Sequence, residues 1–206
     1  MRPFVLKARP EPPATNTPRP GAKLPVGAVE FAWSPNLEAA SVRLQVARDA
    51  AFADLVAQQE GLAGANGRAT LDAPGSYFWR LASTRADGDR GPFGDPQRFE
   101  LRPNPEPPTG GVAPDGRSLA LAWSGRAEDT QHVELARDPQ FRDIVAQADL
   151  DTPEWTLPRP SRGGTYYLRY RSVEPDGYVG PYSATLVIEV PHDWRWLLLL
   201  VPLLAL

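Results

Sequence analysis

The chain has 206 residues, a formal net charge of −3 and a hydrophobic share of 42%, a composition typical of a globular chain with a packed core rather than of a disordered one. Its slight acidity and the lack of a run rich in Lys and Arg give no indication of a basic face, so nucleic acid is not predicted as a partner. Cysteine is absent, which excludes disulfides, thiolate metal sites and a cysteine nucleophile, and the length suits two small domains.

Residues 1–22 open the chain as a segment rich in Pro, with no apolar stretch long enough for the core of a signal peptide. Pro fixes φ and has no backbone N–H, so this composition favours extended backbone. The sequence therefore predicts an extended segment over 1–22, with nothing in it that directs export, ahead of a first domain over 23–102.

Alternating apolar side chains predict the strands of this first domain. Residues 29–33, 42–46 and 77–81 each place large apolar side chains at every second position, a period typical of half-buried strands. Tyr77 begins the third of them, and its hydroxyl can return to the preceding backbone to close a corner between two sheets. A last strand is expected over 97–101.

An Asp-x-x-Phe corner follows the second of these strands, at Asp49 and Phe52. We expect Asp49 to cap a single helical turn and Phe52 to fold inward. Arg80 and its counterpart Arg169 face away from the core, and we expect each to pair with a carboxylate on the sheet surface.

The pattern returns once, at a shift of 89 residues: Ala-Arg-Asp at 47–49 recurs at 136–138. A sequence pattern that recurs at one constant shift indicates a duplication, so a second domain is predicted over 112–191. Residues 103–111 between the domains carry four Pro residues and are predicted as an extended, semi-rigid linker.

A hydrophobic tail is predicted over 192–206. Trp194 and Arg195 suit a membrane interface, but the aliphatic run 197–206 is shorter than the roughly 20 residues that a spanning helix needs. Two interpretations stay open: a membrane-associated or truncated transmembrane tail, with membrane contact through Trp194–Leu206, and a hydrophobic end that packs on the domain or is disordered.

The segment Leu71–Ala82, together with Gly-Pro-Phe-Gly at 91–94, resembles the fibronectin-type-III-like repeats of bacterial envelope proteins. With the Ala-Arg-Asp-x-x-Phe element it resembles, more narrowly, the tandem repeats at the C-terminal end of Gram-negative FecR-domain proteins. The resemblance implies a periplasmic or cell-envelope setting. No FecR domain or LysM pattern is visible, so the chain looks like the tail portion of such a protein or a shortened relative.

Short strands punctuated by Gly and Pro, without a long segment of helical period, exclude a parallel α/β fold. We therefore predict an all-β chain of two tandem fibronectin-type-III/immunoglobulin-like β-sandwiches, joined by the Pro-rich linker and ending in the hydrophobic tail.

No catalytic, cofactor or metal site is predicted. The two histidines, His132 and His192, stand in no recognisable triad. The carboxylates at 87–89 suggest a cation site, but the second copy keeps Asp-Gly at 176–177 and has Tyr at the next position, which favours a turn.

Four aromatic side chains form a candidate binding surface, because exposed rings can stack on sugars; packing at the domain junction is the alternative interpretation. They are Trp155, Tyr167, Tyr178 and Tyr182. The sequence thus predicts a non-enzymatic cell-envelope spacer or protein-binding module with an envelope protein as partner. A carbohydrate- or peptidoglycan-binding module is the alternative.

Overall fold

The protein is described by a computed structural model that covers residues 8–192. Within that range the regular structure consists of β-strands, and there is no helix that could cross a membrane. The chain divides into two compact units between Pro103 and Asn104. The tail interpretations, which concern Trp194–Leu206, fall outside the described residues.

The first unit is a sandwich of two sheets. Its strands are β1 (Thr15–Thr17), β2 (Ala22–Pro25), β3 (Gly27–Trp33), β4 (Ser41–Ala47), β5 (Leu55–Leu62), β6 (Asn66–Leu71), β7 (Gly75–Thr84) and β8 (Gln97–Arg102). One sheet has the order β1-β3-β6 and the other β2-β8-β7-β4-β5. All neighbours are antiparallel except β2, which runs parallel to β8.

The second unit repeats this plan with one strand fewer. Its strands are β9 (Thr109–Val112), β10 (Ser118–Ala122), β11 (Thr130–Ala136), β12 (Ile144–Leu150), β13 (Glu154–Pro158), β14 (Gly164–Val173) and β15 (Leu186–Val190). The sheets have the orders β9-β10-β13 and β12-β11-β14-β15. The prediction of two tandem all-β sandwiches is confirmed.

Each core lies between the two sheets and is built from the alternating apolar positions. Trp33 and Trp123 are 2% and 7% exposed, so both point inward as their strand patterns predict. In the first unit the Phe31 ring lies 5.2 Å from that of Trp79, and in the second Trp123 stacks on Tyr170 at 5.2 Å. Aromatic pairs at this spacing add to the burial of their area.

The Pro-rich segments ahead of each sandwich are part of it. Residues 15–17, expected within the extended segment, pair with β3, and residues 109–112, expected largely as linker, pair with β10. Both segments contain Pro-Glu-Pro-Pro, at 10–13 and at 105–108, and the last Pro of each motif is buried. Pro at a sheet edge is tolerated because no ladder hydrogen bond is lost there.

Side chains of the sandwich hold these segments by their carbonyl groups. The Ser83 hydroxyl donates a hydrogen bond to the Glu11 carbonyl at 2.6 Å. In the second unit the Tyr170 hydroxyl lies 3.0 Å from the carbonyl oxygens of both Glu106 and Ser124. A Tyr buried at its ring end and bonded at its hydroxyl ties the entering chain to the core.

The tyrosine corner is confirmed in both units. The Tyr77 hydroxyl donates to the Ala73 carbonyl at 2.8 Å, and the Tyr166 hydroxyl donates to the Arg162 carbonyl at the same distance. This bond fixes the loop that enters the central strand of each larger sheet.

Candidate functional site

The Asp-x-x-Phe corner is held by its carboxylate. Asp49 accepts hydrogen bonds from the backbone N–H groups of Asp54, Ala53 and Ala51 at 2.7, 3.2 and 2.9 Å. These donors, the Asp54 N–H first, lower the pKa of the Asp49 carboxyl. Asp138 accepts the same set of bonds in the second unit, and its pKa is lowered for the same reason.

The predicted turn capped by Asp is present, because the Phe52 N–H donates to the Asp49 carbonyl at 3.2 Å and the Phe141 N–H to the Asp138 carbonyl at 3.1 Å, but the turn is not helical. Phe52 has a φ of 60° and Phe141 a φ of 56°, a left-handed conformation that reverses the chain instead of continuing a turn. Phe52 is buried, but its ring covers Arg80 on the outer face of the larger sheet. The corner Phe was expected to fold into the core. It instead packs on the outer face of the larger sheet, where it covers Arg80 as part of a second layer outside the core.

Arg80 lies at the centre of this outer layer in the first unit. Its guanidinium carbon is 3.8 Å from the ring centre of Phe52 and 4.3 Å from that of Phe93. Its Nε and Nη2 donate to the Gln45 amide oxygen at 3.0 and 2.7 Å. The predicted carboxylate partner is therefore wrong for Arg80, and its burial lowers the pKa of the guanidinium.

Arg169 holds the same place in the second unit. Its guanidinium carbon lies 3.9 Å from the ring centre of Phe141 and 3.8 Å from that of Tyr182. The predicted carboxylate partner is confirmed here, because Arg169 pairs with Glu134 at 2.7 Å. Glu134 replaces Gln45, so the second unit carries a buried charge where the first carries an amide.

Glu134 is a buried carboxylate, with 9% of its side chain exposed. Burial alone would raise its pKa, but the hydrogen bond from the Tyr182 hydroxyl at 2.8 Å and the charge of Arg169 outweigh burial, so the pKa lies below its ordinary value. Burial, together with the same hydrogen bond to Glu134, raises the pKa of Tyr182. Arg169 and Tyr182 thus donate the hydrogen bonds that the buried Glu134 carboxylate accepts.

A second arginine covers the outer aromatic ring in each unit, but from a different strand. Arg43 on β4 lies 4.7 Å from the ring centre of Phe93, and Arg171 on β14 lies 4.8 Å from that of Tyr182. His132 stands in the place of Arg43 and is the ladder partner of Arg171. The two units therefore build the same cation–π layer by different substitutions.

His132 bonds to carboxylates through both ring nitrogens. Its Nδ1 is 2.6 Å from an Asp149 carboxylate oxygen, and its Nε2 is 3.3 Å from a Glu134 oxygen. These contacts extend the outer layer toward β12 and occupy the nitrogens that a general base would need. His192, at the end of the described residues, packs against Gly163.

The two Asp-Gly sequences perform turn chemistry. The Asp87 carboxylate accepts the Asp89 N–H at 3.0 Å, and the Asp176 carboxylate accepts the Tyr178 N–H at 3.0 Å. Gly88 and Gly177 have φ of 84° and 85°, which favours glycine. Among residues 8–192 no three acidic or histidine side chains are grouped in a way that could hold a metal ion.

The structure divides the four predicted surface aromatics between two sheets and a turn. Tyr167 points outward from β14, on the same face as Arg169. Tyr182 belongs to the cation–π layer on that face, and Tyr178 lies in the turn that precedes it. Trp155 lies on β13 of the other sheet, where it packs partly against the core. The four side chains therefore form no single platform.

Trp155 instead lines a cleft of about 370 Å³ at the open side of the second sandwich, between β12 and β13. Leu157 and Val145 form its apolar walls. Arg137 and Arg162 supply cationic groups at its rim. The volume is at the lower end of the range for ligand pockets, roughly 300 to 1,000 Å³.

The first unit has Gly67 where the second has Trp155, since Gly67 pairs with Phe31 and Trp155 pairs with the corresponding Leu121. A Cβ at Gly67 would lie 3.2 Å from Leu44 and 3.4 Å from Leu62, so neighbouring side chains already fill that space. The Trp155 cleft is therefore a property of the second unit.

The comparisons with known proteins found no matching family model and no matching curated protein. Solved structures gave distant matches. The crystal structure of the chicken CNTN1 FN1-FN3 domains is 13% identical, with 90% of this chain and 69% of that chain covered and a TM-score of 0.45. The fibronectin(III)-like modules of Clostridium thermocellum CbhA are 13% identical, with 87% and 94% covered and a TM-score of 0.40.

Proposed function

We propose that the chain is a non-catalytic spacer and protein-binding module of the bacterial cell envelope, the C-terminal part of a FecR-like protein. The observation that carries this proposal is the use of the polar side chains. The best-placed acid, base and cation, Glu134, His132 and Arg169, satisfy one another within the outer layer of the sheet. Because these side chains hydrogen-bond to one another, their donor and acceptor atoms are not available to bind or activate a substrate.

The two units keep the same framework and differ at their borders, which supports a binding role. The tyrosine corners and the arginine stacks recur at the shift of 89 residues. The cleft in the second unit is lined by Trp155, where the first unit has Gly67, and the outer edge of β15 lacks the paired strand that β2 provides in the first unit. A spacer needs only the shared framework, so the differences are the positions at which a partner would be selected.

The test uses the natural gene product in its host, with a photo-reactive amino acid placed at one exposed position at a time. Val187 and Ile144 probe the second unit, and Leu37, which is fully exposed in the first, is the matched control. We expect the protein in the envelope fraction, with a discrete adduct from the second unit only. Recovery in the cytoplasm, or adducts equally from all three positions, would contradict the proposal.

A second candidate function is binding of carbohydrate or peptidoglycan, and the cleft at Trp155 favours it. A half-buried indole beside apolar walls offers a face for a sugar ring, and the rim guanidinium groups of Arg137 and Arg162 can donate hydrogen bonds to hydroxyl or carboxylate groups. Arg162 is exposed, so it can be changed without disturbing the core.

Pelleting with purified peptidoglycan separates this candidate from the first. Arg162→Glu should weaken retention while leaving thermal unfolding unchanged, and Trp155→Phe should retain more than Trp155→Ala. If the unaltered chain stays in the supernatant, the glycan candidate is excluded and the protein-binding proposal is unaffected.

A further inference from the structure

The outer edge of β15 differs from the corresponding edge in the first unit. In the first unit β2 covers β8, with Ala22 opposite Phe99 and Lys23 opposite Glu100. The sheet of the second unit ends at β15 within the described residues. The two units therefore present the same edge with and without a paired strand, and in the second unit β9, the edge strand of the smaller sheet, lies beside β15 without pairing with it.

The difference arises from the connection between the first two strands of each unit. In the first unit residues 18–26 cross to the larger sheet and include β2. In the second unit residues 113–117 turn back at once, because the Gly116 N–H bonds to the Ala113 carbonyl and Asp115 accepts the Arg117 N–H. The edge is left open by this tight turn.

The backbone groups of β15 that face outward can be identified by comparison. In the first unit the carbonyls of Arg98 and Arg102 accept hydrogen bonds from Gly21 and Val26, and their counterparts in the second unit are Val187 and Pro191. Arg159 bonds to the Pro191 carbonyl, so that group does face outward. By alternation the N–H and C=O groups of Val187 and Glu189 face the same way.

The side chains along this edge suit a short pairing segment. Ile188 and Val190 are buried in the core, whereas Val187 is 55% exposed and Glu189 is exposed. Unpaired N–H and C=O groups on an edge strand are a template for another strand. Because Arg159 already occupies the Pro191 carbonyl, the open stretch is limited to residues 187–190.

We propose that the outer edge of β15 accepts an extended segment of a partner protein, parallel to β15, in which apolar residues flank one basic residue. The orientation and chemistry follow from β2, whose Ala22-Lys23-Leu24 occupies the equivalent edge with Lys23 in register with a glutamate. Glu189 stands at that glutamate's position and would face the basic residue. This inference rests on the proposed protein-binding function and names the chemistry of the partner segment.

The experiment adds a peptide with the sequence of residues 20–27, Pro-Gly-Ala-Lys-Leu-Pro-Val-Gly, to the ¹⁵N-labelled full chain. We expect saturable shifts and slowed exchange of the Val187 and Glu189 amides, with none along β8, where β2 already covers the edge. A peptide with Glu in place of Lys should bind about threefold more weakly, and Glu189→Lys should reverse that preference.

Matched variants separate strand pairing from surface adhesion. Val187→Pro places a proline ring on the outward edge, beside the carbonyl that the segment would use, so binding should weaken, whereas Val187→Thr should keep it. Shifts that map elsewhere, such as the Trp155 cleft, or equal binding to Val187→Pro, would overturn the inference, and so would an unchanged preference in Glu189→Lys. If the peptide does not bind β15, the proposed protein-binding function is still tested by the photo-crosslinking experiment, because an adduct from the second unit requires only a partner near that unit and not a strand paired with β15.

Discussion

The Tyr182 hydroxyl lies 2.8 Å from a carboxylate oxygen of Glu134, and both side chains sit on the outer face of the second sandwich. In the first unit the same two positions are Phe93 and Gln45. The hydroxyl is thus present where the partner is a charged carboxylate and absent where it is an amide. The residue at one position therefore depends on the residue at the other, because the Tyr182 hydroxyl donates its hydrogen bond to the Glu134 carboxylate.

Tyr182→Phe should lower the free energy of unfolding by about 1–2 kcal/mol, because a buried carboxylate loses a hydrogen-bond donor. Glu134→Gln should also destabilise, since Arg169 then loses its opposite charge. The double variant reproduces the pair found in the first unit, so its loss should be smaller than the sum of the two single losses. Urea unfolding of the four proteins measures the difference.

Phe93→Tyr in the first unit is the control for this cycle. It adds a hydroxyl opposite Gln45, which already accepts two bonds from Arg80, so no comparable gain is expected. Strict additivity of the Tyr182 and Glu134 effects would show that the two side chains act separately.

The lowered pKa of Glu134 predicts how stability depends on pH. A carboxyl whose pKa is lower in the folded state stabilises fully above its ordinary pKa of 4.5, and this contribution is lost as the pH falls through the folded value. The chain should therefore lose stability faster than Glu134→Gln as the pH falls below 4.5. Thermal unfolding of both proteins across that range tests this, and parallel curves would contradict it.

The fold could be predicted because strand burial follows a period of two. Trp33 and Trp123 are buried as the alternation indicates, and the tyrosine corners form where Tyr77 and Tyr166 begin their strands. These positions are decided locally, since each apolar side chain has only two faces of a sheet to choose between.

The short strands β1 and β9 were missed because their Pro-rich composition points to extended linkers. A signal was present: Pro-Glu-Pro-Pro occurs at 10–13 and 105–108, at a spacing that differs from the shift of 89 and so escapes a search in one register. Pairing of these segments depends on distant groups such as Ser83 and Tyr170, which no local pattern reveals.

The outer layer was missed for a related reason. A residue after the end of a strand has no fixed face, so the sequence could not show that Phe52 covers Arg80 instead of the core. The contrast between Gly67 and Trp155 likewise appears only when the strands are paired, because their spacing of 88 does not match the main register. Such features depend on strand pairing rather than periodicity.

Arg80→Lys should destabilise the first unit by about 1–2 kcal/mol. The guanidinium of Arg80 contacts two rings and donates two hydrogen bonds to Gln45, and an ammonium group cannot reproduce that planar geometry. Chemical unfolding measures the loss. Arg68→Lys is the matched control, because Arg68 forms an exposed ion pair with Glu30, and its substitution should change stability by less than about 0.5 kcal/mol.

Tyr170 predicts a change at alkaline pH. Burial, with a smaller contribution from the charge of Glu106, raises its pKa from 10.0 to about 12. A raised pKa means that the neutral hydroxyl stabilises the fold fully below pH 10.0 and that this contribution is lost as the pH rises toward 12. Tyr170→Phe should therefore cost about 1 kcal/mol at neutral pH, through the lost bonds to Glu106 and Ser124, and the cost should shrink above pH 10.0.

Unfolding in urea at neutral pH and at several values above 10.0 compares the chain with Tyr170→Phe. Tyr167→Phe is the control, since Tyr167 points away from the core and its substitution should give a difference that is small at every pH. A Tyr170→Phe cost that stays constant across the alkaline range would mean that the hydroxyl ionises equally well in the folded and unfolded chains. The link between Tyr170 and the Pro-Glu-Pro-Pro segment would then not depend on a buried, neutral phenol.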